Sequence, residues 1–168
     1  MSVQFQKEQG HQVIKCGILT VSDTRTKETD KSGRLTETLL LEAGHDVISH
    51  EIVKDDPLGI QQTIEGLLSV PSVQAVLING GTGIAKRDVT YEVVERLLDK
   101  ELPGFGELFR YLSFTEDIGT GALLSRAIAG SYETKAIFSM PGSTGAVRLA
   151  MTRLILPELR HIIYELNK

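Results

Sequence analysis

The segment Leu77–Thr90 reads LINGGTGIAKRDVT. Gly80, Gly81 and Gly83 fall within four residues behind an apolar run, with Thr82 between them. Glycine loses more backbone freedom on folding than any other residue, so such a cluster implies a need for bare main chain. A glycine-rich turn from strand to helix presents N–H groups beside a positive helix end, which suits phosphate. A tight turn with no ligand is the simpler reading, but three glycines and a hydroxyl favour phosphate. On that reading, Gly81→Val should fold yet bind a phosphorylated ligand less well. Two common nucleotide motifs fail. The P-loop needs Gly before its Lys, and Lys86 follows Ala85. The dinucleotide fingerprint from Gly81 meets Lys86 where its third glycine belongs.

Other candidates sit at comparable points. Ser22 and Asp23 follow the apolar run VIKCGILTV, Asp55 follows DVISHEIV, and Pro141, Gly142 and Ser143 follow AIFSM. In open α/β sheets ligands bind beyond the carboxyl ends of the strands, so parallel strands would bring these segments to one edge. Asp55 and Asp88 could hold Mg²⁺, which takes carboxylate oxygens and shares itself with substrate phosphates. Asp88 could equally cap the helix that follows it, and the two roles are compatible. Lys86 and Arg87 could neutralise a polyphosphate, although such a pair is often plain solvated surface. The four histidines show no metal-ligand spacing, and the lone Cys16 reads as a buried core residue.

The elements that must position these residues alternate. Val13–Val21, Asp46–Val53 and Ala75–Asn79 read as strands, two of them nearly all apolar. Arg34–Ala43 reads as a helix stopped by Gly44, and Asp56-Pro57 opens another with an N-cap acid and a first-turn proline. A third helix carries Val93, Val94, Leu97 and Leu98. Between Leu102 and Arg126, LPGFGELFRYLSF and GALLSRA read as short helices. Residues 127–140 read as two strands around SYET, and 143–156 as a helix that Pro157 breaks or restarts. Parallel strands need helical crossovers, so the fold class is α/β with a doubly wound sheet.

The chain has 168 residues, 41% hydrophobic and 24% charged, with a net charge of -4. These values suit one soluble domain, read as residues 13–168 behind a polar, flexible tail at 1–12. The acidic balance argues against a nucleic-acid partner. No signal-peptide pattern or membrane-length apolar run is visible, so the expected setting is cytoplasmic, with no membrane partner.

GGTG with RDVT at Gly80–Thr90, TVSD at Thr20–Asp23, PGFGE at Pro103–Glu107, LSRAIAG at Leu124–Gly130 and MPGST at Met140–Thr144 together resemble the MoaB/MogA family of molybdenum cofactor biosynthesis. The similarity runs from about Ile14 to Leu166 and is nearer MoaB. Tyr91 stands where MogA-type members usually have proline. The resemblance implies a three-layer α/β/α molybdopterin-binding fold with a mostly parallel, Rossmann-like sheet. It implies a homo-oligomer, trimer or hexamer. It also implies adenylylation of molybdopterin by ATP with Mg²⁺, releasing pyrophosphate. The family's acidic pair falls on Asp55 and Asp88, its glycine loop on Gly80–Gly83, and its substrate-lining serine on Ser125. Arg126, beside that serine, joins Lys86 and Arg87 as a candidate to offset phosphate charge. The alternative is a non-catalytic molybdopterin-binding or scaffold protein of the same fold.

Overall fold

A computed structural model describes residues 11–168. All but two residues of the expected tail therefore lie outside the described residues. The strands are β1 (Lys15–Val21), β2 (Asp46–Val53), β3 (Ala75–Asn79), β4 (Lys100–Glu101), β5 (Ile128–Tyr132) and β6 (Lys135–Met140). The helices are α1 (Lys31–Glu42), α2 (Pro57–Ser69), α3 (Thr90–Leu97), α4 (Pro103–Glu116), α5 (Thr144–Ala150) and α6 (Leu156–Leu166). A 3-10 turn spans Gly119–Leu124, and a π-helical turn, Met151–Ile155, joins α5 to α6.

The six strands form one sheet in the order β2-β1-β3-β6-β5-β4. β2, β1, β3 and β6 pair in parallel, whereas β5 runs against β6 and β4. The sheet is therefore mostly parallel, as expected. Thr20 pairs with Asn79, and Asn79 with Met140, so three strands end level on one edge.

Alternating side chains divide the core between the two faces. Leu77 joins Ile18, Leu40, Phe109, Phe138 and Leu159 on one face, under α1, α4, α5 and α6. Its neighbours Val76 and Ile78 join Leu19, Ile64 and Val94 on the other, under α2 and α3. Each fully buried Leu or Ile contributes roughly 1.5–3 kcal/mol. The site edge can therefore carry glycines at roughly 0.5–1 kcal/mol apiece.

The structure moves some boundaries. α1 begins at Lys31 because Asp30 caps it, accepting the Gly33 N–H at 2.9 Å. Gly33, a poor helix former, hides this first turn from a sequence reading that starts the helix at Arg34. LPGFGELFRYLSF forms the cap and most of one 14-residue helix, with Leu102 at the cap position and Pro103 in the first turn. GALLSRA is a 3-10 turn leading to extended chain, and the edge strand β4 had no visible alternation because it has only two residues. The π turn precedes Pro157, whose nitrogen cannot donate to the carbonyl four residues back. The apolar residues of α6 belong to the core: Leu159 and Ile163 are buried against the sheet.

His45 is 2% exposed, between α1 and β2. Its Nδ1 accepts the Ile14 N–H at 3.1 Å, and its Nε2 has no partner. Burial first, and the Arg160 guanidinium second, pull its pKa from 6.5 to about 4, against the opposing charge of Asp46. The folded protein thus favours neutral imidazole, while the unfolded chain takes up a proton near pH 6.5. The stabilisation is complete above that pH and is lost as pH falls through about 4. We expect denaturant midpoints to fall across this window, by on the order of 2 kcal/mol in stability. His45→Gln, whose amide oxygen can accept the same N–H, should flatten the upper part of that slope.

Candidate functional site

The level strand ends open onto a cavity of about 410 Å³. Ser22 and Asp23 reach it from β1, Asp55 from β2, the Gly80–Gly83 loop from β3, and Pro141 and Gly142 from β6. Arg87, Asp88 and Ser125 complete the predicted residues on its wall. Parallel pairing thus gathers segments as distant in sequence as Ser22 and Gly142.

The glycine loop is shaped first by the protein. Gly80 has φ +100° and Gly81 φ +69°. A Cβ at Gly80 would collide with the Val21 carbonyl oxygen, and one at Gly81 with the Thr90 hydroxyl. This corrects the expectation that Gly81→Val folds normally, since the missing side chain makes room for the protein as well as for a ligand. A function for the loop's amides remains open to it. The Gly80 N–H donates to Met140 O at 3.0 Å, but among the described residues no hydrogen bond leaves the N–H groups of Gly81, Thr82 or Gly83.

Asp88 does not cap α3. Its Oδ2 accepts the Ala85 N–H at 2.9 Å, closing the loop, while Val89 occupies the cap position without a side-chain bond. Asp23 Oδ1 accepts the Asp55 N–H at 3.0 Å. The Asp55 carboxyl is pushed above its usual pKa by burial, then by the charges of Asp23 and Asp88, with Arg87 opposing. Two acids thus crowd a third. Among the described residues, no group of three or more His, Cys, Asp or Glu side chains forms a metal cage.

Three predicted residues lie off the wall, two of them because they are committed elsewhere. Arg126 is a clamp: Nε donates to Gly83 O and Nη2 to Asp88 O, both at 2.9 Å, while Nη1 binds the Glu92 carboxylate. Its guanidinium carbon also sits 5.2 Å from the Tyr91 ring centre, a cation–π contact. Arg126 therefore fixes the loop instead of offering a free cation. Ser143 caps α5, its Oγ accepting the Ala146 N–H at 3.2 Å. Lys86 follows the loop but does not border the cavity.

Ser125 does border it, and its hydroxyl is buried without a partner. A buried unpaired hydroxyl is costly, so a ligand is a natural partner for it. Sequence reasoning did not select Arg25, Ile118 or Leu124, which also line the cavity. Arg25 could have been found from its place two residues beyond Asp23. The other two depend on where α4 ends, which no local signal marked.

The family model described as "Probable molybdopterin binding domain" matches residues 17–161. The chain belongs to the MoaB family of molybdenum cofactor biosynthesis proteins. Molybdenum cofactor biosynthesis protein B of Bacillus cereus is 60% identical over 168 residues, covering 100% of this chain and 99% of its own length. A crystal structure of a molybdenum cofactor biosynthesis protein B is 61% identical, with a TM-score of 0.92, covering 94% of this chain and 98% of its own. The tungsten cofactor synthesizing protein MoaB from Pyrococcus furiosus is 34% identical, with a TM-score of 0.82, covering 93% and 98%. The MoaB fold thus accounts for the sheet, and no described helix is long and apolar enough to cross a membrane.

Gly81→Val should therefore be costly before any ligand is added. A β-branched residue at positive φ, facing Thr90, should lose at least about 2 kcal/mol. We expect thermal melting to drop by roughly 4–8 °C, and a parental melting curve would show that the loop can relax around the side chain.

Proposed function

We propose that this chain binds molybdopterin and ATP at the cavity and adenylylates the pterin's terminal phosphate. The observation that carries the reading is the set of uncommitted N–H groups at Gly81–Gly83 beside Asp55, Asp88 and the unpartnered Ser125 hydroxyl. A cavity of about 410 Å³ is within the usual range for a small-molecule site.

The substrate supplies its own nucleophile. A terminal phosphate oxygen of the pterin attacks the α-phosphorus of ATP, forming a new P–O bond. The bond from the α-phosphorus to the bridging oxygen breaks, and pyrophosphate leaves with that electron pair. Two polyanions must meet, so the protein's task is orientation and charge stabilisation. The loop amides donate to phosphate oxygens, Arg87 offsets charge, and Ser125 donates its hydroxyl. The Arg126 clamp keeps the amides in place before substrate arrives.

Mg²⁺ fits this wall in one respect. Asp55 and Asp88 are oxygen donors whose mutual repulsion a divalent cation would relieve, and Mg²⁺ needs only one or two carboxylates when phosphates share it. Those two residues would hold it, and it would supply further neutralisation of phosphate charge.

A homo-oligomer, trimer or hexamer, belongs to the same reading. Its support in the structure is α4 and the turn after it, where Leu108, Tyr111, Phe114 and Ile118 are exposed. A second copy of this chain is the proposed cover, and light scattering at micromolar concentration should give a mass above the 18.4 kDa monomer. We place the reaction in the cytoplasm, where ATP is available.

The deciding experiment is incubation with molybdopterin, ATP and Mg²⁺, with mass detection of adenylyl-molybdopterin. Tight pterin binding without product would favour a binding or scaffold role. In an active parent, Asp88→Asn should keep the Ala85 bond through its amide oxygen and melt normally. It should turn over about a hundredfold more slowly, the typical cost of losing one stabilising charge or donor. Asp55→Asn should lose turnover similarly while melting at or slightly above the parent, because a repelled carboxylate has been removed. Near-parental rates in both variants would strike the acids from the mechanism.

A further inference from the structure

A closed ring of side chains lies behind the cavity. Asp30 is fully buried. Its Oδ2 accepts the Thr20 hydroxyl at 2.6 Å and lies 3.1 Å from His50 Nε2. Thr20 Oγ1 accepts from Asn79 Nδ2 at 3.0 Å, and Asn79 Oδ1 accepts from Arg25 Nη1 at 3.3 Å. Arg25 Nη1 then returns to within 3.8 Å of Asp30 Oδ1. The ring ties the loop after β1 to the end of β3. A further bond, from Arg25 Nη2 to Gly142 O at 2.7 Å, extends it to the loop after β6.

The cap on α1 does not need a buried charge, because a neutral Asn or Ser caps about as well. Burying a carboxylate is expensive unless a countercharge and hydrogen bonds offset it. Here the permanently charged partner is Arg25, at 3.8 Å; His50, nearer at 3.1 Å, is a cation only when protonated. Space has also been cleared for this carboxylate: a Cβ at Gly33 would collide with Asp30 Oδ2 and with the His50 ring. Both the charge and the bare residue exceed what helix initiation requires, so they serve what Asp30 holds.

Arg25 has an outlet. Its side chain is 30% exposed and lines the cavity. A guanidinium has five N–H donors, and the bonds to Asn79 and Gly142 leave others uncommitted. Its orientation is fixed before any ligand arrives, which lowers the entropy lost on binding. The wall otherwise carries three acids, Asp23, Asp55 and Asp88, against one further cation, Arg87, so a bound polyanion gains from a second cation held this firmly.

We propose that Arg25 contacts a phosphate of the bound ligand, and that Asp30 is a positioning residue that orients the guanidinium through the ring. The proposal rests on the reading of the cavity as a phosphate-ligand site, but not on any reaction there. The test is calorimetric titration with pyrophosphate, which needs no turnover. It compares the parent chain, Arg25→Gln, Asp30→Asn and the double variant. Loss of a charge-assisted contact should weaken binding about tenfold or more in Arg25→Gln. Asp30→Asn should weaken it in the same sense, with no further loss in the Arg25→Gln background, because Asp30 acts through Arg25. A general structural role for Asp30 would instead give additive losses. If Asp30→Asn does not fold, Thr20→Val opens the same ring at a neutral member and should show the same dependence on Arg25. Parental affinity in Arg25→Gln, additive losses, or a parent that binds no pyrophosphate would each overturn the proposal. A parent that binds pyrophosphate in the predicted way yet forms no adenylylated product would leave it standing and remove only the proposed reaction.

Discussion

The site depends on a close approach between two strand ends. The chain leaving β3 passes so near the Val21 carbonyl that residue 80 can carry no side chain. The Gly80 N–H binds Met140 O at the same level. These contacts lock the exits of β1, β3 and β6 to one another. Everything on the cavity wall is placed relative to that junction, including the amides of the next three residues. A strand junction buried on both faces is stiff in a way that a surface loop is not, so groups set on it keep their spacing.

Charge is distributed unevenly around the junction. Arg126 is committed to Gly83, Asp88 and Glu92, and its bond to Glu92 holds that carboxyl below its usual pKa. On the cavity side the Asp55 carboxyl is shifted the other way, by burial and then by the charges of Asp23 and Asp88, which Arg87 only partly offsets. The protein thus spends its best cation on geometry and leaves acids facing each other where a ligand would sit. Such an arrangement costs stability in the empty site and favours whatever brings positive charge or displaces water.

Much of this was legible in the sequence. β2 and β3 could be read with their observed bounds because each is a short β-rich run that ends at clear turn chemistry, and Asp56-Pro57 announced α2 without ambiguity. The shared edge followed from parallel strands, so Asp55, Gly81 and Gly142 could be grouped across the chain before any contact was known. What sequence could not supply was side-chain commitment. Arg126, Ser143 and Asp88 were good candidates by type, yet their partners at Gly83, Ala146 and Ala85 depend on loop paths. The glycines were recognised as necessary, but the group that excludes a Cβ is protein, which only the positions of Val21 and Thr90 reveal. The region 103–126 was hardest because Gly104 and Gly106 mask a helix stabilised by Phe105 and Phe109 packing into the core.

The strand order also governs how the molecule is built in time. β3 is buried along its whole length, and its second partner, β6, begins at Lys135, more than fifty residues later. Until β6 arrives, β1, β2 and β3 can pair, but they present Ala75–Asn79 as an apolar open edge. Such an edge invites pairing with another chain, and closing it requires a long loop to find its mate. The intervening segment includes a hairpin that delivers β6 with β5 already beside it, so the gap can be filled by a two-stranded unit. The strand that completes the cavity wall is thus also the one that ends the chain's exposure to aggregation.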